Sequence, residues 1–443
     1  MNRKILRLAI PNILSTLSIP LLSVVDTALM GHQSNDYYLA GIALGGMAFN
    51  LIYMIFGFLR MSTIGFTAQA YGKRDTQEQS NILGRALFIA ILSSLFVLLF
   101  QNQIADICFG VLEWLKPTSN VEAIRYAREY FNIRIWAAPA TIMLYVASGW
   151  FLGMQNAKIP LALTFGGNLI NILLSYYFVT QGHGISGVAY GTVVAQYLSF
   201  IAAITFASFK YGHLIKKLIL RDVISFQKMS CFLMISRDIL IRTFALIFVI
   251  NFFVVASYHP DNINITNANH ILLQFWMIVS FGIDGFAMAA ESLVGRFIGA
   301  KDNEQLRKTV KYCFAWGMGI AILFSITYLL FEKALVTIFV STNKYELIAV
   351  IHDYYFWILI TPLINATCFI WDGIYTGALA GKAMRDSMLI STLIIFFPTY
   401  FITTNLSHLG NHGLWLAFSL FMLSRGITLT LSANKNIFRL VVK

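Results

Sequence analysis

Charge is scarce in this chain. Asp, Glu, Lys and Arg make up 12% of its 443 residues, about half of the roughly 25% usual in a soluble protein. So few charges cannot cover a water-facing surface, which excludes an ordinary soluble enzyme and a disordered chain alike. Cysteine is scarce too. Cys108, Cys231, Cys313 and Cys368 lie far apart, in or beside apolar runs, and read as small buried hydrophobes rather than disulfides or a metal site. The chain carries no zinc motif, phosphate loop or nucleophile elbow, and its eight histidines fall in loops or near the ends of apolar runs. These absences argue against an ATP-driven pump within the chain and against a standard hydrolase. An enzyme is not expected, no residue is assigned a catalytic role, and no cofactor is implied.

What the sequence has is apolar mass. Hydrophobic residues are 58% of the chain and aromatic ones 15%, and the mean hydropathy is +0.70. At ~20 apolar residues per membrane helix, this suffices for about twelve helices. Hydropathy places them near 9–30, 39–69, 84–104, 128–153, 160–180, 185–208, 239–258, 269–297, 312–331, 347–378, 387–404 and 413–433. The first run follows Arg3, Lys4 and Arg7 in the manner of a signal peptide, but its extension to Met30 is too long for a signal core, and it reads as an uncleaved first span.

The net charge of +12 would suggest nucleic acid on a soluble domain. Here it is a topology signal, since no basic stretch is interleaved with surface aromatics. With both termini on one side, that side collects 23 Lys and Arg and the other side 5. The split predicts an even number of spans with both termini cytoplasmic. The longest polar connection, 209–228, sets Leu214, Ile215, Leu218 and Ile219 at helical spacing among Lys210, Lys216, Lys217 and Arg221. That pattern predicts an amphipathic helix on the cytoplasmic leaflet, near the middle of the chain.

A repeat divides the apolar mass. Gly72-Lys73-Arg74-Asp75 matches Gly299-Ala300-Lys301-Asp302 at an offset of 227; Gly187-Val188-Ala189-Tyr190 matches Trp415-Leu416-Ala417-Phe418 at 228; Gly153 and Lys158 match Gly377 and Lys382 at 224. The expected architecture is therefore an all-α membrane protein. Its twelve transmembrane helices form two pseudo-symmetric six-helix bundles, 1–208 and 231–443, joined by the linker 209–230, around a central cavity. Two parallel repeats of this kind suit alternating access, one bundle rocking against the other around a site near the midplane.

Ionisable groups at membrane depth are costly and mark candidate sites. Asp26 lies in the first span behind Pro11 and Pro20, where proline removes a helical hydrogen bond and favours a kink. Desolvation favours a neutral carboxyl, which suits such an acid to take a proton from one side and release it on the other. The structural alternative pairs Asp26 with Arg60 or Arg134. Asn168, Asn171 and Ser175 share one face of the fifth span, and Thr192 adds a hydroxyl in the sixth. With Asp26 they form a candidate site for Na⁺ or a proton; the alternative is interhelical hydrogen bonding. Asp284, Glu291 and Asp372 are second-half candidates, with ion pairing to Arg242, Arg296 or Arg425 as their alternative role. Met30, Met47, Met54, Met61, Met277 and Met288, with the many aromatics, are candidates for a pliable cavity wall.

The first-span run Ile10-Pro11-Asn12-Ile13-Leu14-Ser15, Pro20-Leu21-Leu22 and Val25-Asp26-Thr27-Ala28-Leu29-Met30-Gly31-His32 resembles the multidrug and toxic compound extrusion (MATE) transporters, in particular their DinF-like branch. Phe58-Leu59-Arg60-Met61, Ala68-Gln69-Ala70-Tyr71-Gly72, Asp284-Gly285-Phe286-Ala287, Ala290-Glu291-Ser292-Leu293-Val294-Gly295 and Asp372-Gly373-Ile374-Tyr375 are similar to that branch as well. The resemblance covers essentially the whole chain, in order. It implies two bundles of six helices and export of organic cations or other amphipathic compounds, driven by inward H⁺ or Na⁺. It carries the coupling role onto Asp26, the helix bend onto Pro11, and polar partnership with the acid onto Asn171 and Thr192. Related members have an aspartate where this chain has Ser175, which weakens a Na⁺ site and favours H⁺. The glutamate that some members carry in span seven is not evident in Val249-Ile250-Asn251-Phe252-Phe253.

The expected function is export of hydrophobic or cationic small molecules from a bacterial inner membrane in exchange for H⁺, by a monomer with no nucleic-acid partner. The competing transport readings are Na⁺ coupling and a lipid-linked saccharide flippase, whose cavity would be lined by basic residues. Here most membrane-depth charges are acidic, with Arg60 and Arg134 as exceptions.

Overall fold

The computed structural model describes residues 1–31, 36–115, 121–259, 262–406 and 409–441. His32, named above, lies outside them, as do Lys116 and Lys443 among the basic residues counted. The described residues form helices and no strands. In chain order these are α1 (Asn2–Gly31), α2 (Asp36–Gly72), α3 (Thr76–Leu99), α4 (Gln101–Leu115), α5 (Val121–Arg134), α6 (Ala138–Gly153), α7 (Lys158–Phe178) and α8 (Gly184–Ile215). The short α9 (Leu220–Val223) leads into α10 (Phe226–Ala256), α11 (Ile263–Gly299), α12 (Asn303–Phe339), α13 (Tyr345–Gly377), α14 (Gly381–Ile390), α15 (Phe397–Phe401) and α16 (Gly410–Asn436).

Eleven continuous helical stretches among the described residues are long and apolar enough to cross a membrane. One of them, Lys158–Ile215, is 58 residues long. Gly182 (φ 88°) and Gly184 (φ 51°) break it between α7 and α8, in a backbone region that only glycine enters without steric cost. The two arms then pack on each other, so that stretch supplies two crossings. The solvent of the outer faces is also legible. The most apolar window of α12 has only 17% of its residues buried, against 61% for α11. Leu323, Ile326, Leu329 and Leu330 of α12 are exposed, and such a face is stable only against lipid.

By contacts the chain divides into two compact units, Leu14–Phe232 and Met1–Ile13 with Leu233–Lys443. In the first, α2 packs on α3, α5 and α6 around Phe49, Phe109, Tyr130, Phe131 and Trp150, all fully buried. In the second, α11 packs on α12 and α13, and α13 on α16. The start of α1 belongs to this second unit: the Trp316 indole N–H donates to Asn2 Oδ1 at 3.2 Å, and Gly285 of α11 lies against Ile13 and the Ala9 carbonyl. The helix remains continuous through Pro11 and Pro20. The boundary between units falls at Ile13, two residues after the proline that was expected to bend it.

The repeat is written in the backbone. Among the described residues the non-glycine residues with positive φ are Arg74 and Lys301, and Gln155 and Leu379, which pair at the sequence offsets of 227 and 224. Each is followed by the same helix-closing bond five residues back: Asp75 N to Ala70 O at 3.1 Å, Asp302 N to Phe297 O at 3.0 Å, Asn156 N to Phe151 O at 2.9 Å and Ala380 N to Tyr375 O at 3.0 Å. Asp75 and Asp302 then cap the following helices, accepting from Glu78 N and Gln305 N, which satisfies one orphan donor at each helix start.

The connection between the halves differs from the surface helix expected over 209–228. Helix α8 runs on to Ile215, and the rest is a tight segment bound to the start of α3. Ser80 Oγ donates to Leu214 O at 2.6 Å, Asn81 Oδ1 accepts from Ile219 N at 3.0 Å, and Arg85 Nη2 donates to Asp222 O at 3.4 Å. Leu214 and Val223 are buried. Of the expected stripe, Leu214 is buried against the protein while Ile219 stays exposed, and α3 binds the connection's backbone through its own polar groups.

Candidate ion-coupling sites

In the unit Leu14–Phe232, Asp26 projects from α1 with Oδ1 buried and no hydrogen-bond partner for that atom. The cation acting on it is Arg134, at the end of α5. No ion pair joins the two within the described residues. Arg134 is held by aromatics: Nη1 donates to Tyr130 Oη at 2.7 Å, and the guanidinium lies 4.7 Å from the centre of the Phe49 ring. Its Nε is buried and, like Asp26 Oδ1, lacks a partner. Tyr53 of α2 and Tyr145 of α6 also face this arginine. Of Arg60 and Arg134, the alternatives for Asp26, the charge of Arg134 acts on the acid, with no ion pair between them among the described residues.

Asn171, Ser175 and Thr192 are buried together between α7 and α8. Asn171 Nδ2 donates to Thr192 Oγ1 at 3.2 Å, Ser175 Oγ donates to Asn171 Oδ1 at 3.0 Å, and Thr192 Oγ1 donates to the Val188 carbonyl at 3.0 Å. A Cβ on Gly191 would fall 2.6 Å from Ser175 Oγ, so the helices meet closely at this point. The three side chains satisfy one another, and no hydrogen bond connects them to Asp26 among the described residues. Asn168 faces α1 instead, donating to Ser18 O at 3.1 Å and Ser18 Oγ at 3.2 Å. The set read as one site is thus two arrangements: a lone acid beside an arginine, and an interhelical hydrogen-bond chain.

In the other unit, Asp372 of α13 is clamped by two arginines on one oxygen. Arg242 of α10 and Arg425 of α16 both donate to Oδ2, the latter at 2.5 Å. All three side chains are buried; Arg425 is 1% exposed. Asp284 of α11 acts with these three charges on the Cys368 thiol, so two acids and two arginines gather around one buried cysteine. Glu291 is buried further along α11, where Gly377 packs on its main-chain carbonyl. One polar group went unread in the sequence: Asn269 and Asn411 exchange side-chain hydrogen bonds at 2.7 and 3.0 Å, and Trp415 Nε1 donates to Asn269 Oδ1 at 2.8 Å. Two asparagines in apolar runs were its signal.

The MatE family profile matches residues 11–177 and 240–402, one segment in each half of the chain. The chain is 30% identical to the DNA damage-inducible protein F of Escherichia coli over 437 residues, covering 97% of this chain and 91% of that protein. It is 22% identical to the probable multidrug resistance protein NorM of Thermotoga maritima, covering 94% and 88%. Among solved structures, the outward-facing conformation of a multidrug resistance MATE family transporter of the MOP superfamily superposes with a TM-score of 0.87 at 17% identity, covering 99% of this chain and 96% of that one.

Proposed function

This chain belongs to the MatE family of membrane transporters, and from that premise we propose that it is a secondary antiporter exporting hydrophobic, often cationic, organic compounds in exchange for inward protons. Asp26 is the proton carrier in this reading. It is supported above all by one observation: Asp26 Oδ1 and Arg134 Nε are both buried without hydrogen-bond partners, while Arg134 acts electrostatically on Asp26. An ionised Asp26 draws the guanidinium toward α1; a protonated one releases it. Proton occupancy thereby changes how α1 is held against α5, a local event of the kind that biases a rocking bundle. Each proton moving inward down the membrane potential supplies ~2.3 kcal/mol per 100 mV.

Proton coupling is favoured over Na⁺ by the chain Ser175–Asn171–Thr192. A hard cation needs several oxygen ligands, and these oxygens are engaged with one another or with main chain. The basic surplus on one side of the spans supports cytoplasmic termini, and the likeness to the Escherichia coli protein supports a bacterial inner membrane.

The test uses the purified protein in liposomes with an imposed pH gradient and a fluorescent cationic dye. Asp26→Asn loses pH-driven export while the protein stays folded, and a Na⁺ gradient alone drives nothing. Unchanged dye export by Asp26→Asn would remove Asp26 from the mechanism, and strict Na⁺ dependence would reverse the choice of ion.

A further inference from the structure

Two hydrogen-bond donors in the second unit are buried with nothing to donate to. Both line one cleft, between α11, α13 and α16, whose walls include Trp276, Thr361, Asn365, Phe418, Ser419 and Met422. Trp276 is 6% exposed and Asn365 1%. The Trp276 indole N–H and the Asn365 side-chain nitrogen have no protein acceptor. The cleft is narrow in this conformation, its side chains leaving little space between them.

Leaving such donors unmet is unfavourable, and native interiors rarely do so without a functional reason. The rest of the lining says what would meet them. The Phe418 ring lies 5.4 Å from the Trp276 ring, a wall suited to a flat apolar body. The Thr361 hydroxyl hydrogen is committed to the Trp357 carbonyl at 2.6 Å. Behind Met422 stands Arg425, whose Nη1 contacts the Met422 sulfur at 3.2 Å. The carboxylate nearest Arg425, Asp372, is already held by two arginines. The cleft thus presents two unmet N–H donors and, among the described residues, no acidic side chain in its lining, which favours an oxygen acceptor over a cation. Met422 is the flexible side chain able to swing aside and admit it.

We propose that this cleft, opened by movement of Met422, is a binding site for a small aromatic molecule bearing a carbonyl or carboxylate oxygen, its ring against the wall formed by Trp276 and Phe418 and its oxygen accepting from Trp276 Nε1 and Asn365 Nδ2. Binding stands apart from the export reading. Only the consequence that such compounds are cargo rests on it.

The experiment is isothermal titration of the full chain in lipid nanodiscs, without any gradient, using benzamide, benzoate and benzylammonium. Benzamide or benzoate binds saturably, their ratio separating a carbonyl from a carboxylate preference, and benzylammonium does not bind. Asn365→Leu removes one donor at similar size, and Trp276→Phe removes the other while keeping an aromatic ring. Each weakens binding by about tenfold, or ~1.4 kcal/mol. Asn365→Leu also raises the unfolding temperature of the ligand-free protein, because an unmet polar group is gone, and it reduces the thermal shift given by the ligand. Saturable binding by neither acceptor probe, an affinity in both variants unchanged from that of the parent protein, or tighter binding of benzylammonium overturns the proposal. Retained binding with no export of the probe from liposomes counts against the export reading alone.

Discussion

Asp372 accepts from Arg242 and Arg425 on the same oxygen, and this arrangement sets what its removal does. Breaking a buried pair by deleting one partner strands the other charge, typically at ~3–5 kcal/mol. Asp372→Asn strands two arginines and is expected to lose stability at the upper end of that range, read as a lower unfolding temperature in detergent. Arg242→Met leaves Arg425 and Asp372 as a one-to-one pair and loses less. Equal melting of Asp372→Asn and the parent protein would show that the cluster does not hold these helices together. Asp26 contrasts with Asp372. Both are acids in apolar runs and look alike in sequence, yet one is fixed by two cations and the other has an oxygen without a partner. Sequence spacing could name Arg242, Arg425, Arg60 and Arg134 as possible partners. It could not choose among them, because the choice depends on which helices lie side by side.

At the scale of elements, the duplicated loops carry the clearest consequence. Arg74 (φ 58°) and Lys301 (φ 56°) sit in left-handed backbone, where a side chain costs roughly 1–2 kcal/mol. Both are exposed. Arg74→Gly and Lys301→Gly are each expected to stabilise the protein by roughly 0.5–1 kcal/mol, once glycine's extra freedom in the unfolded chain is subtracted. Thermal unfolding of the two variants checks this; a rise in one and a fall in the other would mean that one basic side chain does work its counterpart does not. The loop pattern Gly-Lys-Arg-Asp was legible because an aspartate cap after a left-handed residue is a local device. The connection over 209–228 was less legible for the opposite reason. Its apolar spacing is real, but where the helix stops depends on Ser80, Asn81 and Arg85, more than a hundred residues earlier in the chain, which bind the backbone at and beyond Leu214.

For the whole molecule, the uneven distribution of basic residues makes a prediction independent of any side-chain contact. Single cysteines placed at Lys4 and Lys435, in a background lacking the four native ones, should react with an impermeant maleimide only when the cytoplasmic face is open to it. A cysteine at Lys344 should react from outside the cell. Labelling of Lys4 and Lys435 from opposite faces would require an odd number of crossings.

The sequence by itself determined that the chain lives in lipid, that it is helical, that it is duplicated, and which few charges lie at membrane depth. These follow from composition and periodicity, which act residue by residue and need no knowledge of neighbours. Tertiary structure decided the rest: that Met1–Ile13 joins the second half by contact, that Asn171, Ser175 and Thr192 bond to one another, that Asp372 is clamped while Asp26 Oδ1 goes without a hydrogen bond, and that Trp276 and Asn365 share a cleft. Each of these is a meeting of side chains far apart in the chain. The strength of a buried charge or hydrogen bond is set by the partner opposite it, and that partner is chosen only when the helices pack.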